Sequence, residues 1–142
     1  KRIARLSDEY STNSTLPWVT VRDAINDLPD PGKCDHCSIL NHIYMPGARV
    51  YKGHTGSPYD EPSKTLKAGD HGVPGGENML VLDDTSVRYF TVREAARIQT
   101  FPDTYKFHGS WSEVMRQLGN AVPVKVAKIV AQSVSSALNV NK

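Results

Sequence analysis

Two cysteines and two histidines fall close together, as Cys34, His36, Cys37 and His42. A C-x-x-C with histidines nearby is a donor set for zinc, and a closed tetrahedral site would need all four side chains. His36 lies between the two cysteines, which makes that geometry tight, and spacings this short match easily by chance. A reduced loop without metal is therefore the expectation, and two cysteines make no disulfide framework. A second chemistry is polyanion binding. Arg49, Lys52, Lys64 and Lys67 share one loop-rich stretch and can meet phosphates or guanine edges, while Thr65 can serve base or backbone. Any one of them alone reads as a solvated surface charge. A third constellation, Arg93, Glu94 and Arg97, has the charge pattern of salt bridges between lobes rather than of catalysis. The last is Gly119-Asn120, read as standing at a helix start. Glycine permits close approach, and an Asn amide with free backbone N–H groups can bond a polar ligand, although a plain helix cap reads the same way.

The elements that must position these residues follow from local patterns. Residues 1–19 are polar and irregular and read as a connector. Thr20 is a good N-cap with Asp23 three residues on, and Val21, Ala24, Ile25 and Leu28 share one helical face before Pro29 stops the helix. Residues 33–87 are rich in glycine and proline, with short extended pieces expected at Ala48–Tyr51, Lys64–Lys67 and Met79–Leu82. Gly53, Gly56, Gly69, Gly72, Gly75 and Gly76 would let this backbone come close to a groove. From Arg88 onward the grammar is helical again. Thr91-Val92-Arg93-Glu94 is a full capping box ahead of a helix stopped by Phe101-Pro102. Ser110 opens a second helix expected to close at Gly119, and Pro123 sits near the first turn of a last one. Val126, Ile129, Val130, Ala137 and Leu138 form a stripe on that last helix, with Ser133 within it, to be covered by a partner or by the other helices. The repeated Thr-Val-Arg-acid sequence at 20–23 and 91–94 is shared capping, not duplication.

The whole is an α+β chain with a loop-rich small lobe and short strands, then short helices and a C-terminal amphipathic helix. Its 142 residues suffice for one packed domain or two small lobes, and 39% apolar residues exclude a disordered tail. No apolar run approaches the ~20 residues of a membrane span. The first residue is Lys1 rather than Met, as in a piece of a longer polypeptide or a processed chain. The balance of 17 basic and 15 acidic residues, a net charge of +2, makes no case for nucleic acid by itself.

Two longer stretches make that case. Arg88 to Asp103 resembles the ninth conserved motif of DNA cytosine-5 methyltransferases, R-x-x-T-x-R-E-x-A-R-x-Q-x-F-P-D. Gln117 to Pro123 then resembles the tenth, Q-x-G-N-A-V-P. Both are long, ordered and correctly spaced, and the resemblance covers roughly residues 17–139. It implies that residues 20–87 are the target-recognition region, in which Thr65-Leu66 resembles the family's Thr-Leu pair, and that 88–142 carry motifs nine and ten. It further implies double-stranded DNA contacts at Arg49, Lys52, Lys64, Thr65, Leu66 and Lys67, and a bracing role for Arg88, Arg93, Glu94, Arg97, Gln99 and Pro102. Gly119, Asn120, Ala121 and Val122 would close one wall of an S-adenosylmethionine pocket. A prokaryotic, cytoplasmic, nucleoid-associated setting goes with the family, with or without a cognate restriction enzyme.

The resemblance also implies what this stretch lacks. The family's nucleophile is a Cys directly after Pro, and its acid sits in a Glu-Asn-Val motif. Here Cys34 follows Lys33, Cys37 follows His36, and Glu77-Asn78 is followed by Met79. A thiolate nucleophile has no substitute among neighbouring groups. The chain is thus expected to hold no catalytic residue and to be inactive alone. With an N-terminal catalytic part, in the same parent chain or a separate subunit, it would flip and methylate a target cytosine. Two other classes compete: a non-enzymatic, sequence-specific DNA-binding module, and a small zinc-dependent interaction domain around Cys34 and Cys37.

Overall fold

A computed structural model of the chain describes residues 17–33, 38–68 and 78–140. The Cys34–Cys37 stretch and Gly69, Gly72, Gly75 and Gly76 lie outside the described residues. Helix α1 (Val21–Ile25) is followed by strands β1 (Ser57–Pro58), β2 (Met79–Val81) and β3 (Val87–Tyr89). Helices α2 (Val92–Ile98), α3 (Trp111–Asn120) and α4 (Val124–Val140) complete the order. The α+β class is as expected.

Both Thr-led helices begin as their sequences dictate. The Thr20 hydroxyl accepts from Asp23 N at 3.2 Å while the Asp23 carboxylate accepts from Thr20 N at 2.8 Å. Thr91 and Glu94 repeat the exchange at 3.2 and 2.8 Å. Each box satisfies two amides that a helix N-terminus leaves open. Helix α1 is shorter than its apolar face suggested, because the chain turns after Asn26 with Leu28 N bonded to Ile25 O. The face survives that turn, since Leu28 still packs against the core beside Ala24.

The sheet has the order β1-β2-β3, with β2 parallel to β1 and antiparallel to β3. Leu80 stands opposite Ser57 on one side and Arg88 on the other. The β2–β3 connection turns through Thr85, at φ 70°, and is closed by the Asp84 carboxylate, which accepts from Ser86 N and Oγ at 3.0 and 2.6 Å. Of the three extended pieces expected, only 79–82 forms a strand. The 64–67 piece joins no ladder because side chains take its amides: Lys64 N donates to Ser57 Oγ at 3.0 Å and Lys67 N to Asn78 Oδ1 at 3.2 Å. In 48–51, only Tyr51 pairs, in an isolated bridge with His54.

The core gathers one side of every layer: Val21 and Ile25 of α1, Leu80 of β2, Phe90, Val92, Ala95 and Ala96 around α2, Phe107, and Val114, Met115 and Leu118 of α3. Leu66 joins them. Helix α4 does not. Every side chain of α4 from Val124 to Leu138 is exposed, so the option that it packs on the other helices of this chain is excluded for the described residues.

Candidate functional site

The charged residues of α2 and its flanks are consumed in holding other segments. Arg88 and Glu94 form a buried two-pronged pair, Nη1 to Oε2 at 2.7 Å and Nη2 to Oε1 at 2.6 Å. Burial alone would lower the Arg88 pKa, but the Glu94 carboxylate outweighs it and raises it instead. Arg93 is 0% exposed and donates Nε to Leu40 O at 2.9 Å, Nη1 to Pro102 O at 3.2 Å and Nη2 to Tyr105 O at 2.7 Å. The Leu40 carbonyl and the distant 102–105 turn are thereby pinned to one guanidinium. Burial pulls its pKa down.

Arg97 ties α1 to the chain after α2. It pairs with Asp103 through Nε and Nη2 at 2.9 and 2.6 Å, and its Nη1 reaches Asp27. Hydrogen bonds from Arg97 hold both carboxyls below the ordinary carboxylate range. A group whose folded pKa is depressed stabilises the fold above its unfolded pKa and loses that contribution as pH falls through the folded one. Melting temperature should therefore drop on acidification below about pH 4, and Arg97→Gln should flatten that limb. The effect is modest because both carboxylates are more than half exposed.

Two residues complete the brace in roles that the sequence did not show. His42 is buried, with Nδ1 2.9 Å from Thr91 Oγ1 and Nε2 2.8 Å from Pro29 O. A carbonyl can only accept, so Nε2 carries the proton toward Pro29. Both ring nitrogens are thus engaged by described residues. Asn41, at φ 62°, clamps the Phe107 backbone, donating Nδ2 to its carbonyl and accepting its N–H, both at 3.0 Å. An Asn-His pair in a loop carries no periodic signal, so only the fold reveals it.

Gln99 donates Nε2 to Leu118 O at 2.8 Å, tying α2 to α3. Its carbonyl and the Thr100 side chain then start α4. Pro123 occupies the cap position, its carbonyl accepting from Ala127 N, and proline has no side-chain oxygen to cap with. Val124 N bonds Gln99 O at 3.1 Å and Lys125 N bonds Thr100 Oγ1 at 2.9 Å. Thr100 holds φ 60° to do so, a left-handed backbone that a β-branched residue seldom adopts. Thr100→Val should lose about 1 kcal/mol of capping and speed amide exchange at Val124 and Lys125, while Thr100→Ser should restore both. Equal exchange in all three proteins would refute the cap.

Arg49, Lys52, Lys64, Thr65 and Lys67 are exposed. Lys64 Nζ donates to Thr55 Oγ1 at 2.6 Å, which ties it to the residue that follows the Tyr51–His54 bridge. Leu66 is the exception. At 4% exposure its side chain faces the core and anchors the segment that presents Thr65 and Lys67. Gly56, at φ 80°, is required where it stands, since a side chain would meet Met79 O at 3.2 Å and Val81 Cγ2 at 3.1 Å.

The candidate cofactor segment differs from expectation at Gly119 and Asn120. They are not at a helix start: α3 runs through both to Asn120, with Ala121 as C-cap. This end of a helix offers carbonyls rather than free N–H groups. Gly119 is glycine for a packing reason, because a Cβ there would lie 2.8 Å from Lys67 C and 2.9 Å from Ala68 N. Helix α3 thus packs closely against the 67–68 backbone at this point. Asn120 and Val122 are exposed, and Ala121 is half-buried.

A profile of the C-5 cytosine-specific DNA methylase family matches residues 9–136, and the chain belongs to that family. It is similar to the Type II methyltransferase M.MthTI of Methanothermobacter thermautotrophicus, 33% identical over 84% of the chain and 44% of that protein. The Haemophilus influenzae Type II methyltransferase M.HindV is 38% identical over 93% of the chain and 44% of its own length. M.NgoFVII of Neisseria gonorrhoeae is 32% identical over 93% of the chain and 31% of its length. The chain spans less than half of each of these relatives. None of the helices is long and apolar enough to cross a membrane among the described residues.

Proposed function

We propose that this chain is the target-recognising and cofactor-pocket-completing portion of a DNA cytosine-5 methyltransferase, working with an N-terminal catalytic part. The observation that carries the reading is helix α4. Its Val124, Val126, Ile129, Val130, Val134 and Leu138 are 37–65% exposed, and its Lys125, Lys128, Gln132 and Ser135 fall on one strip at 100° per residue. Aliphatic side chains thus occupy more than half of the circumference, as in a helix wrapped by a partner rather than laid on a flat surface. The catalytic part is that partner, from the same parent chain or as a separate subunit.

Residues 20–87 then face double-stranded DNA through Arg49, Lys52, Lys64, Thr65 and Lys67. Residues 88–142 brace that region and end in the segment that lines S-adenosylmethionine. The residues present fit such a wall: the Asn120 amide is free to bond a polar edge, and the exposed Val122 offers apolar contact. When bound, the cofactor supplies the methyl group. The chain's own task is to exclude water from one side and to hold the recognition region, through Gly119, against that wall. Neither cysteine follows proline, so the nucleophile comes from the catalytic part.

Methyl transfer from S-adenosylmethionine to unmethylated DNA tests this. This chain alone should be silent, and its mixture with the catalytic part active, with the methylated sites giving the target. Activity of the chain alone would overturn the missing-nucleophile argument. Silence of both with site-specific binding retained would make the chain a DNA-binding module instead.

A further inference from the structure

Arg49 is held before any ligand arrives. Its Nε donates to the Tyr51 hydroxyl at 2.8 Å, and its guanidinium carbon lies 5.1 Å from the centroid of the same ring. Tyr51 is itself fixed by reciprocal backbone bonds with His54, at 3.1 and 2.9 Å, and by an edge contact between their rings. The clamp uses Nε and leaves the two Nη groups on the outer edge of an exposed side chain, with no hydrogen bond to any described residue. The entropy of an arginine side chain is largely spent in advance by such a hold.

Beside this edge runs an open groove of about 660 Å3, with Arg49 and Tyr51 on one side and Met45, Pro46, Tyr89 and Trp111 along it. The indole N–H of Trp111 is taken by Phe90 O at 2.9 Å, and the Trp111 and Tyr89 rings stand 4.9 Å apart. The wall is therefore largely aromatic and apolar, and Arg49 lines it as well. No Asp or Glu occurs from residue 38 to residue 59, so no carboxylate of that stretch competes for the two Nη groups.

We propose that Arg49, oriented by Tyr51, reads the N7/O6 edge of one guanine in the DNA target, with the groove wall accepting the apolar flank of the adjoining base pair. Two parallel N–H donors match two coplanar acceptors, which is the commonest specific contact in the major groove. A phosphate on Arg49 would leave the aromatic wall without a complement. Lys52 and Lys64, point charges near the same turn, suit phosphates better. This inference rests on the target-recognition reading above and names the base that the site reads.

The test uses the complete enzyme, this chain with its catalytic part, and duplexes of the mapped target in which each guanine in turn becomes 7-deazaguanine. That change removes N7 and keeps the phosphate and the base pairing. Wild type should lose about 10-fold in affinity at one guanine position. Arg49→Ala should bind both duplexes at the weakened level, and Tyr51→Phe, which keeps the ring but not the acceptor for Nε, should fall between. If the 7-deaza penalty persists undiminished in Arg49→Ala, or if methylphosphonate substitution instead abolishes the Arg49 effect, Arg49 is a backbone contact and the inference is overturned. A wild-type enzyme with no site-specific binding would sink the recognition reading itself, an outcome distinct from either.

Discussion

Glu94→Ala should cost about 3–5 kcal/mol, because it leaves the Arg88 guanidinium buried without its counter-charge. Glu94 is 1% exposed, and its two oxygens serve three donors: Arg88 Nη1, Arg88 Nη2 and Thr91 N. Removing it opens the cap of α2 as well as the pair. Against a typical total stability of about 5–15 kcal/mol, that loss leaves the fold marginal. Chemical denaturation followed by near-ultraviolet circular dichroism reads the result. Replacing both partners, as in Arg88→Met with Glu94→Leu, should cost far less than Glu94→Ala alone, since an apolar pair has no charge to strand. A double variant as unstable as the single one would mean that the pair contributes more than the burial of its charges.

What was legible in the sequence was local. Thr20-Asp23 and Thr91-Glu94 are each separated by three residues, and a cap depends on little beyond that spacing. The strands were harder. β1 has two residues and is defined by pairing with a segment far along the chain, while β3 pairs locally across the 82–86 turn but is only three residues long, so neither leaves a period of its own. Ser57 and Asn78 show why 64–67 looked like a strand without being one: their side chains imitate a ladder partner. Leu66 was misplaced for a different reason. Its place among the DNA contacts came from the resemblance of Thr65-Leu66 to the family's Thr-Leu pair, and only folding gathers it into one cluster with Leu80 and the apolar residues of α3.

The site divides along the same line. The Arg-Glu-Arg cluster of α2 declared ion pairs, but not that Arg93 would spend its donors on backbone carbonyls of Leu40, Pro102 and Tyr105. The roles of His42 and Thr100 could not be read, because each acts on a partner brought near by folding: Pro29 and Thr91 for the first, Lys125 for the second. Capping of α4 from a distance also explains how a helix exposed along its described length leaves the body in a defined direction.

Gly119 supplies the second large effect, and its sign is the informative part. Gly119 lies in the last turn of α3, where replacing glycine by alanine ordinarily stabilises by about 0.5–1 kcal/mol. Here the added Cβ would sit 2.8 Å from Lys67 C, 2.9 Å from Ala68 N and 3.0 Å from Lys67 O. These are backbone atoms, and Lys67 N is fixed to Asn78, so the neighbour cannot swing aside as a side chain would. Gly119→Ala should therefore destabilise by about 1–3 kcal/mol, the usual cost of overpacking, and Gly119→Val by more. Gln117→Ala, on the exposed face of the same helix, should be near neutral and serves as the control. On the function proposed above, activity should respond on two fronts, because the strain pushes the 67–68 backbone away from α3. Affinity for target DNA and for S-adenosylmethionine should fall together in the complete enzyme. If Gly119→Ala raises the melting temperature instead, α3 and the 67–68 backbone are not in contact, and the coupling of recognition region to cofactor wall goes with them.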